Sequence, residues 1–400
     1  MTQADYDIVV SGGGVAGLAA ASVFGTAGFS VLCVDPAPPI TARDAEGSDL
    51  RTTAFLQPAQ ALLDRAGVWA RLAPHATDLQ VMRIVDAGGE VPEPRVTRAF
   101  DASDISDKPF GWNLPNWLLR REMVAHLDSL PSVAFRPGTG TTTLFTRQSE
   151  ARVGLSDGTR VRCRLVIAAD GRNSPIREAA GVSVRTTRYG QKALAFAVTH
   201  PIPHENVSTE IHRSGGPFTL VPLPDHDGRP SSAIVWMEEG PAAARLAALP
   251  VEEFEAEMNI RSCHLFGPLT LASRRTVWPI ISQLAARMYA ERVALVAEAA
   301  HVVPPIGAQG LNMSLGDMRV LLELAEAAPE RLGDRQMLET YHRRRHLEVR
   351  ARVTGIDLLN RASMMRAQPL RDARAQALDA IYSLAPIRKT LMQMGLGARG

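Results

Sequence analysis

The stretch YDIVVSGGGVAGLAAASVFGTAGFSVLCVD, residues 6 to 35, leaves the chain few ways to fold. An apolar run, Ile8–Val10, leads into Gly12, Gly14 and Gly17 at the spacing G-x-G-x-x-G. An Ala-rich helix is predicted from Val15 to Thr26, with Gly28 ending it and Ser30–Val34 as a second strand. Each glycine has its own reason in such a βαβ unit. Gly12 permits the tight turn, Gly14 allows a pyrophosphate to approach the backbone, and Gly17 lets the helix pack closely on the strand. The helix N-terminus then faces the phosphates. Asp35, about 20 residues further on, can accept hydrogen bonds from a ribose diol. An acid there disfavours a 2′-phosphate, which points to FAD or NAD rather than NADP.

Further along, LQPAQALLDRAGVWARL carries Leu62, Leu63, Ala66 and Trp69 at helical spacing, and LLRREMVAHLDSL is a second amphipathic helix. EARVGLSDGTRVRCRLVIAADG reads as a hairpin with a type I′ Asp-Gly turn and a long second strand ending at Ala169. From Lys192 to Trp236 short β-rich runs are separated by Pro, Gly, His and Asn, which predicts a separate antiparallel sheet. Beyond Gln309 the chain is expected to be helical, broken at Pro329, Pro369 and Pro386. The fold class is therefore α/β: a Rossmann-like dinucleotide-binding domain, an inserted antiparallel β-sheet domain and a helical C-terminal tail.

Composition narrows the function. A net charge of +2 over 400 residues gives no reason to expect a nucleic acid partner. Cys33, Cys163 and Cys263 are too scattered for a metal site or a disulfide framework, and they fit a reducing compartment. His204, His212, His226 and His264 form no metal-ligand spacing. No secretory leader pattern and no window of transmembrane length and apolarity is visible. A cytoplasmic protein, at most peripheral to the inner face of a membrane, is the expectation.

Two more segments carry chemistry. In LVIAADGRNSPIREAAG a buried strand ends at Asp170-Gly171, and Arg172, Ser174 and Arg177 lead into a helix. In RVALVAEAAHVVPPIGAQGLNMSLGDM an apolar run is followed by Glu298, His301 and a turn fixed by Pro304, Pro305 and Gly307. Gly310, Leu311 and Asn312 then open a helix whose free N–H groups and dipole favour negative charge, as on the edge of a reduced flavin.

These three motifs, in this order, resemble the flavin-dependent aromatic hydroxylases of the para-hydroxybenzoate hydroxylase type. The likeness is greatest to the branch that hydroxylates ubiquinone precursors. By that resemblance Gly12, Gly14, Gly17 and Asp35 would bind the ADP half of FAD, and Arg51 with Arg120 or Arg121 would make further contacts. Asp170 and Gly171 would serve FAD and the nicotinamide cofactor, and Glu298 would hold the ribityl chain. Gly310, Leu311 and Asn312 would lie against the flavin ring, with Pro304, Gly307 and His301 beside the reacting edge. Phe218, Leu220, Val221 and Pro222 would line a substrate pocket. The FAD-binding domain would span 1–75, 100–180 and 270–330, the substrate domain 76–99 and 181–269, and the tail 331–400.

The resemblance implies that NADH or NADPH, bound transiently, reduces FAD, and that O2 then gives a C4a-hydroperoxide which hydroxylates an electron-rich, prenylated phenol. It also allows a soluble aromatic substrate. One departure stands out: Ala297-Glu298 occupies the place of the family's Gly-Asp. That change leaves room for a flavin-poor accessory protein of a biosynthetic complex. A lipid-borne substrate would call for peripheral membrane contact, for which the tail offers Ile381, Tyr382, Ala385, Ile387, Leu391, Met392 and Met394 beside Arg388 and Lys389.

Overall fold

The computed structural model describes residues 5–396. Residues 1–4 and 397–400, inside the first and last segments assigned above, lie outside the described residues. Two large sheets organise the chain. The first has a parallel centre in which Tyr6–Ser11 lies between Val31–Asp35 and Arg160–Ala168. Val133–Pro137 extends one side and Val293–Leu295 the other, both in parallel register. Ile8, Val9, Val10, Leu32, Leu165 and Val166 are fully buried. Strands covered on both faces need such continuous apolar runs. The helix Val15–Thr26 is buried from Gly17 to Gly25. Its alanines let it sit tightly between the sheet and the helices Asn116–Leu127 and Gln309–Ala327.

The second sheet has nine strands. Its centre is Val184–Thr199, paired antiparallel with Arg229–Glu239 on one side and Thr276–Ala285 on the other. Two expectations need correction here. The pairing of Val207–His212 with Val81–Asp86 is parallel in an otherwise antiparallel arrangement. The strand Thr276–Ala285, placed by sequence in the dinucleotide-binding domain, belongs to this second sheet. Period-2 alternation identifies a strand but not its neighbour.

Register separates the faces of this sheet. Leu194, Trp236 and Phe218 stand side by side, with Phe196, Ile234 and Leu220 next to them. The helices Gly240–Ala248 and Val251–Arg261 contribute Ala243, Leu246, Phe254 and Met258 to the same core. The opposite face carries Ala193, Val235 and Met237, which pack on the core of the first domain, and Ala197, Val221 and Ala233.

Two local details also differ from expectation. The helix predicted through Trp69 is broken into Gln57–Arg65 and Trp69–Leu72, because Gly67 takes a φ of +72°. In the Asp157-Gly158 hairpin only Gly158 has positive φ, and its N–H donates to the Leu155 carbonyl at 3.1 Å. Type I′ needs two such residues, so the loop is a type I turn followed by a left-handed glycine.

Candidate functional site

The glycine turn is shaped for a ligand. Gly12 has φ +111°, and a Cβ there would lie 2.4 Å from the Ala169 carbonyl oxygen. A Cβ on Gly17 would lie 1.8 Å from the Gly12 carbonyl oxygen, so this close approach admits no side chain. Gly14 is different: a Cβ there meets nothing within 4 Å. The helix it caps has no side-chain cap, which leaves its first N–H groups free beside open space. The Asp35 carboxylate, at the end of its strand, accepts from the Gly13 N–H at 2.6 Å and from Ala37 N–H at 2.8 Å. Each oxygen keeps a second lone pair for a sugar hydroxyl.

Asp170 stands next to this turn. Its Oδ2 accepts from Ile176 N–H at 3.1 Å and from the Ser11 hydroxyl at 3.5 Å, while its buried Oδ1 has no partner. Burial raises the carboxyl above its usual value, against the nearby Ser174 hydroxyl and the Ile176 N–H, which favour ionisation. An orphaned buried acceptor beside a turn of free donors fits a ligand that brings both hydroxyls and anionic oxygens. Gly171 has φ +84° and open space around it.

Tertiary structure joins this segment to the one near residue 300. Arg177 is 7% exposed and spans the two, donating to the Ala299 carbonyl at 3.0 Å and the Arg172 carbonyl at 2.9 Å. Arg172 Nε meets Glu298 Oε2 at 3.2 Å. Ala297, in the glycine's usual place, sits in the left-handed region at φ +53° and is 6% exposed. That conformation costs an alanine roughly 1–2 kcal/mol. The backbone shape expected of a glycine is thus kept without one.

Arg51 lies over the Trp278 ring, 4.1 Å from its centroid, and holds Asp49 through Nε at 2.8 Å and Nη2 at 2.7 Å. Asn116 also donates to Asp49, and Arg120 lies 3.8 Å away. Burial pushes the Asp49 carboxyl up, but Arg51, Asn116 and Arg120 outweigh it and keep it below the usual range. Of the two arginines left open by the sequence, Arg120 faces this cluster. Arg121 is exposed, pairs with Glu122 at 2.8 Å and covers Trp117. Asp49 and Trp278 were missed in the sequence; the i, i+2 spacing of Asp49 and Arg51 was the one available signal for the first.

Three assignments made from sequence are corrected. His301 is 2% exposed, and its Nε2 lies 2.7 Å from Asp317 Oδ2, so it cannot reach a reacting atom. Asn312 uses its side chain on protein: its Oδ1 accepts from Leu56 N–H at 2.8 Å, and its Nδ2 donates to the Ala54 and Ala308 carbonyls. Its N–H is the first one the helix itself bonds, so Asn312 offers a ligand no free donor. Phe218 and Leu220 are 0% and 1% exposed on the helix-covered face of the second sheet, so they are core. Pro222 follows on that face of the strand and its carbonyl accepts from Asn113, whereas Val221 points the other way. Apolarity alone could not distinguish the two faces.

The turn Pro304–Ala308 precedes the helix Gln309–Ala327 as expected. Gly307 has φ +63° and Ala308 +56°, no side chain caps the helix, and Gly310 is open to added atoms. Leu311 is half-buried and Pro304 buried. Among the described residues no group of His, Cys, Asp and Glu could hold a metal ion.

An α/β domain with a ligand-shaped glycine turn, an acid at the second strand end and an uncapped helix beside a Pro/Gly turn defines a dinucleotide-type flavoprotein. Residues 5–355 match the model of the FAD binding domain family, and the chain belongs to that family. It is 32% identical to the ubiquinone hydroxylase UbiL of Rhodospirillum rubrum, over 98% of this chain and 89% of that protein. It is 25% identical to 3-demethoxyubiquinol 3-hydroxylase of Escherichia coli, over 99% and 100% of the two chains. The solved structure of p-nitrophenol 4-monooxygenase PnpA from Pseudomonas putida superposes with a TM-score of 0.79 at 20% identity, covering 99% of each chain. The protein is an FAD-dependent monooxygenase.

Proposed function

We propose that this monooxygenase hydroxylates the aromatic ring of a polyprenylated phenol in ubiquinone biosynthesis, with electrons from NADH or NADPH and oxygen from O2. The observation that carries the reading is the likeness to a named ubiquinone hydroxylase over 98% of the chain, which takes in the second sheet and most of the tail as well as the dinucleotide-binding core. Bound FAD supplies the electron and oxygen transfer. The protein supplies position and shielding. Gly14 and the free N–H groups after it would receive the pyrophosphate, Asp35 the adenosine ribose, and Asp170 Oδ1 a donor from the cofactor's hydroxylated chain. Arg51, held by Asp49 and Trp278, would lie at the cofactor's edge, and the N–H groups of Gly310 and Leu311 would stabilise negative charge on the ring. Glu298, paired with Arg172, would hold the ribityl chain.

The substrate ring would lie against the small-residue face of the second sheet, where Ala195, Ala197, Val221 and Ala233 leave room for it and exclude water. A deletion strain should lose ubiquinone and accumulate a prenylated phenol lacking one ring hydroxyl, with recovery on re-expression. An unchanged quinone pool, or an accumulating soluble aromatic acid, would overturn the reading.

The tail adds a proposed membrane contact. Among the described residues no helix is long and apolar enough to cross a bilayer. The helices Gln368–Ser383 and Ala385–Leu396 divide the residues named from sequence into two sets. Tyr382 and Met392 pack with Phe100 and Phe110, and Arg388 lies over the Tyr382 ring and pairs with Asp104. Ile381, Ile387, Leu391 and Met394 stay exposed, between 38% and 51%, and Leu384, not singled out from sequence, joins them at 52%. Removing the tail after Gln368 would uncover Phe100, so substitution is the better test. Replacing Ile387, Leu391 and Met394 with Ser should cut co-sedimentation with anionic liposomes several-fold and leave the thermal midpoint in place. Equal partition of both proteins would exclude this surface.

A further inference from the structure

The helix-covered side of the second sheet holds a cleft of about 420 Å³ that the flavin chemistry does not use. Trp236 forms part of its wall, and Trp236 belongs to the face turned away from the first domain. Arg213, Arg245, Arg261 and Arg371 line it, against Glu90, Glu238 and Glu257. Arg245 and Glu257 pair with each other at 2.9 Å, which removes both from the balance. Three guanidinium groups then face two carboxylates.

Arg261 is the telling residue. It is 5% exposed, and its Nη1 and Nη2 are fixed by the carbonyls of Ile211 at 3.2 Å and Gly216 at 2.7 Å. Its Nε is buried without any partner. Arg371 also has a buried Nε without a partner, on the tail helix that closes the cleft. Glu238 is the carboxylate nearest in role to a counter-charge, but it accepts from Trp236 Nε1 at 3.3 Å and makes no ion pair with Arg261 among the described residues. Buried guanidinium N–H groups left unmet in a cleft of this volume call for an oxyanion.

We propose that this cleft binds a phosphate-bearing small molecule of about nucleotide size, with Arg261 and Arg371 as its inner donors and Arg213 at the rim. The unpartnered Nε–H groups of Arg261 and Arg371 can each donate a charge-assisted hydrogen bond to a phosphate oxygen, and the volume is that of a small-ligand pocket. The cleft lies across the sheet from the proposed substrate face, so a ligand there is separate from the aromatic substrate. Nothing in this proposal depends on which phenol the enzyme hydroxylates.

The test uses FAD-loaded enzyme, so that the dinucleotide site is already filled, titrated calorimetrically with inorganic pyrophosphate and with adenosine monophosphate. At least one should bind saturably at a 1:1 ratio. Arg213→Ser and Arg371→Gln should each weaken that binding tenfold or more with flavin content unchanged, and Glu238→Gln should tighten it several-fold. Both surface variants avoid the risk that Arg261→Met fails to fold. Saturable binding by neither probe, or binding that both arginine variants leave intact, overturns the proposal.

Discussion

Asp317→Ala is expected to destabilise the protein by about 3–5 kcal/mol, the cost of stripping one partner from a buried ion pair. Asp317 is fully buried in the helix Gln309–Ala327, with His301 Nε2 at 2.7 Å and Arg345 Nε at 2.8 Å on its two oxygens. Arg345 is 3% exposed, and its Nη2 also donates to the Met313 carbonyl at 3.2 Å. Burial would push the guanidinium down, but Asp317 and Glu348 outweigh it and keep it above its usual value. Without Asp317 that charge faces an apolar core with only Glu348 at its outer end. The triad also ties the segment before the Pro304–Ala308 turn to the helix after it, and both to Arg335–Ser363. Loss of Asp317 should therefore loosen the flavin-ring segment as well as lower stability. Urea unfolding of the flavin-free protein, with flavin retention in parallel, measures both effects. A change below about 1 kcal/mol, the level of an exposed pair, would show that the triad does not hold this segment.

Gly17→Ala and Gly14→Ala should separate fold from cofactor. At Gly17 the new methyl would meet the Gly12 carbonyl oxygen at 1.8 Å, so the helix Val15–Thr26 must move away from its strand. Overpacking of a tight contact costs about 1–3 kcal/mol or more, and here it also dismantles the turn that would hold the pyrophosphate. The variant should purify colourless and unfold earlier. At Gly14 the methyl meets no protein atom and the residue has an ordinary extended backbone, φ −68° and ψ 174°. Its thermal midpoint without flavin should match the wild type. FAD affinity should nevertheless fall by about 10- to 100-fold, or roughly 1.4–2.8 kcal/mol, because the methyl stands where phosphate oxygens would lie. Wild-type FAD affinity in Gly14→Ala would move the pyrophosphate elsewhere.

Much of the dinucleotide half was legible in the chain. Its signals are local: an apolar run, glycines at fixed offsets and an acid at a strand end report on a few consecutive residues whose backbone shape the ligand demands. The same holds for the Pro304–Gly307 turn and the helix that follows it. The departure at Ala297-Glu298 was visible too, but only the structure shows Ala297 in the left-handed conformation and Glu298 beside Arg172.

The second sheet was legible as strands but not as a surface. Val221 and Leu220 are neighbours of similar apolarity, yet one faces the proposed substrate space and the other the core. His301 and Asn312 misled for a related reason. A histidine and an amide next to a cofactor motif look available until their partners, Asp317 and the strand Thr52–Leu56, are brought in from distant positions. The Arg261 cleft had no sequence signal, since its four arginines come from one loop and three helices.

Covalent neighbours therefore determined what the glycine turn, the two strands around it and the Pro/Gly segment had to be. Constraints on φ, on close backbone approach and on helix ends act within a few residues and can be read along the chain. Packing decided the rest: which strand face is covered, which arginine meets Asp49, and which polar side chains are spent on other protein atoms. Those outcomes depend on burial and on the pairing of charges far apart in sequence, and only the folded chain supplies both.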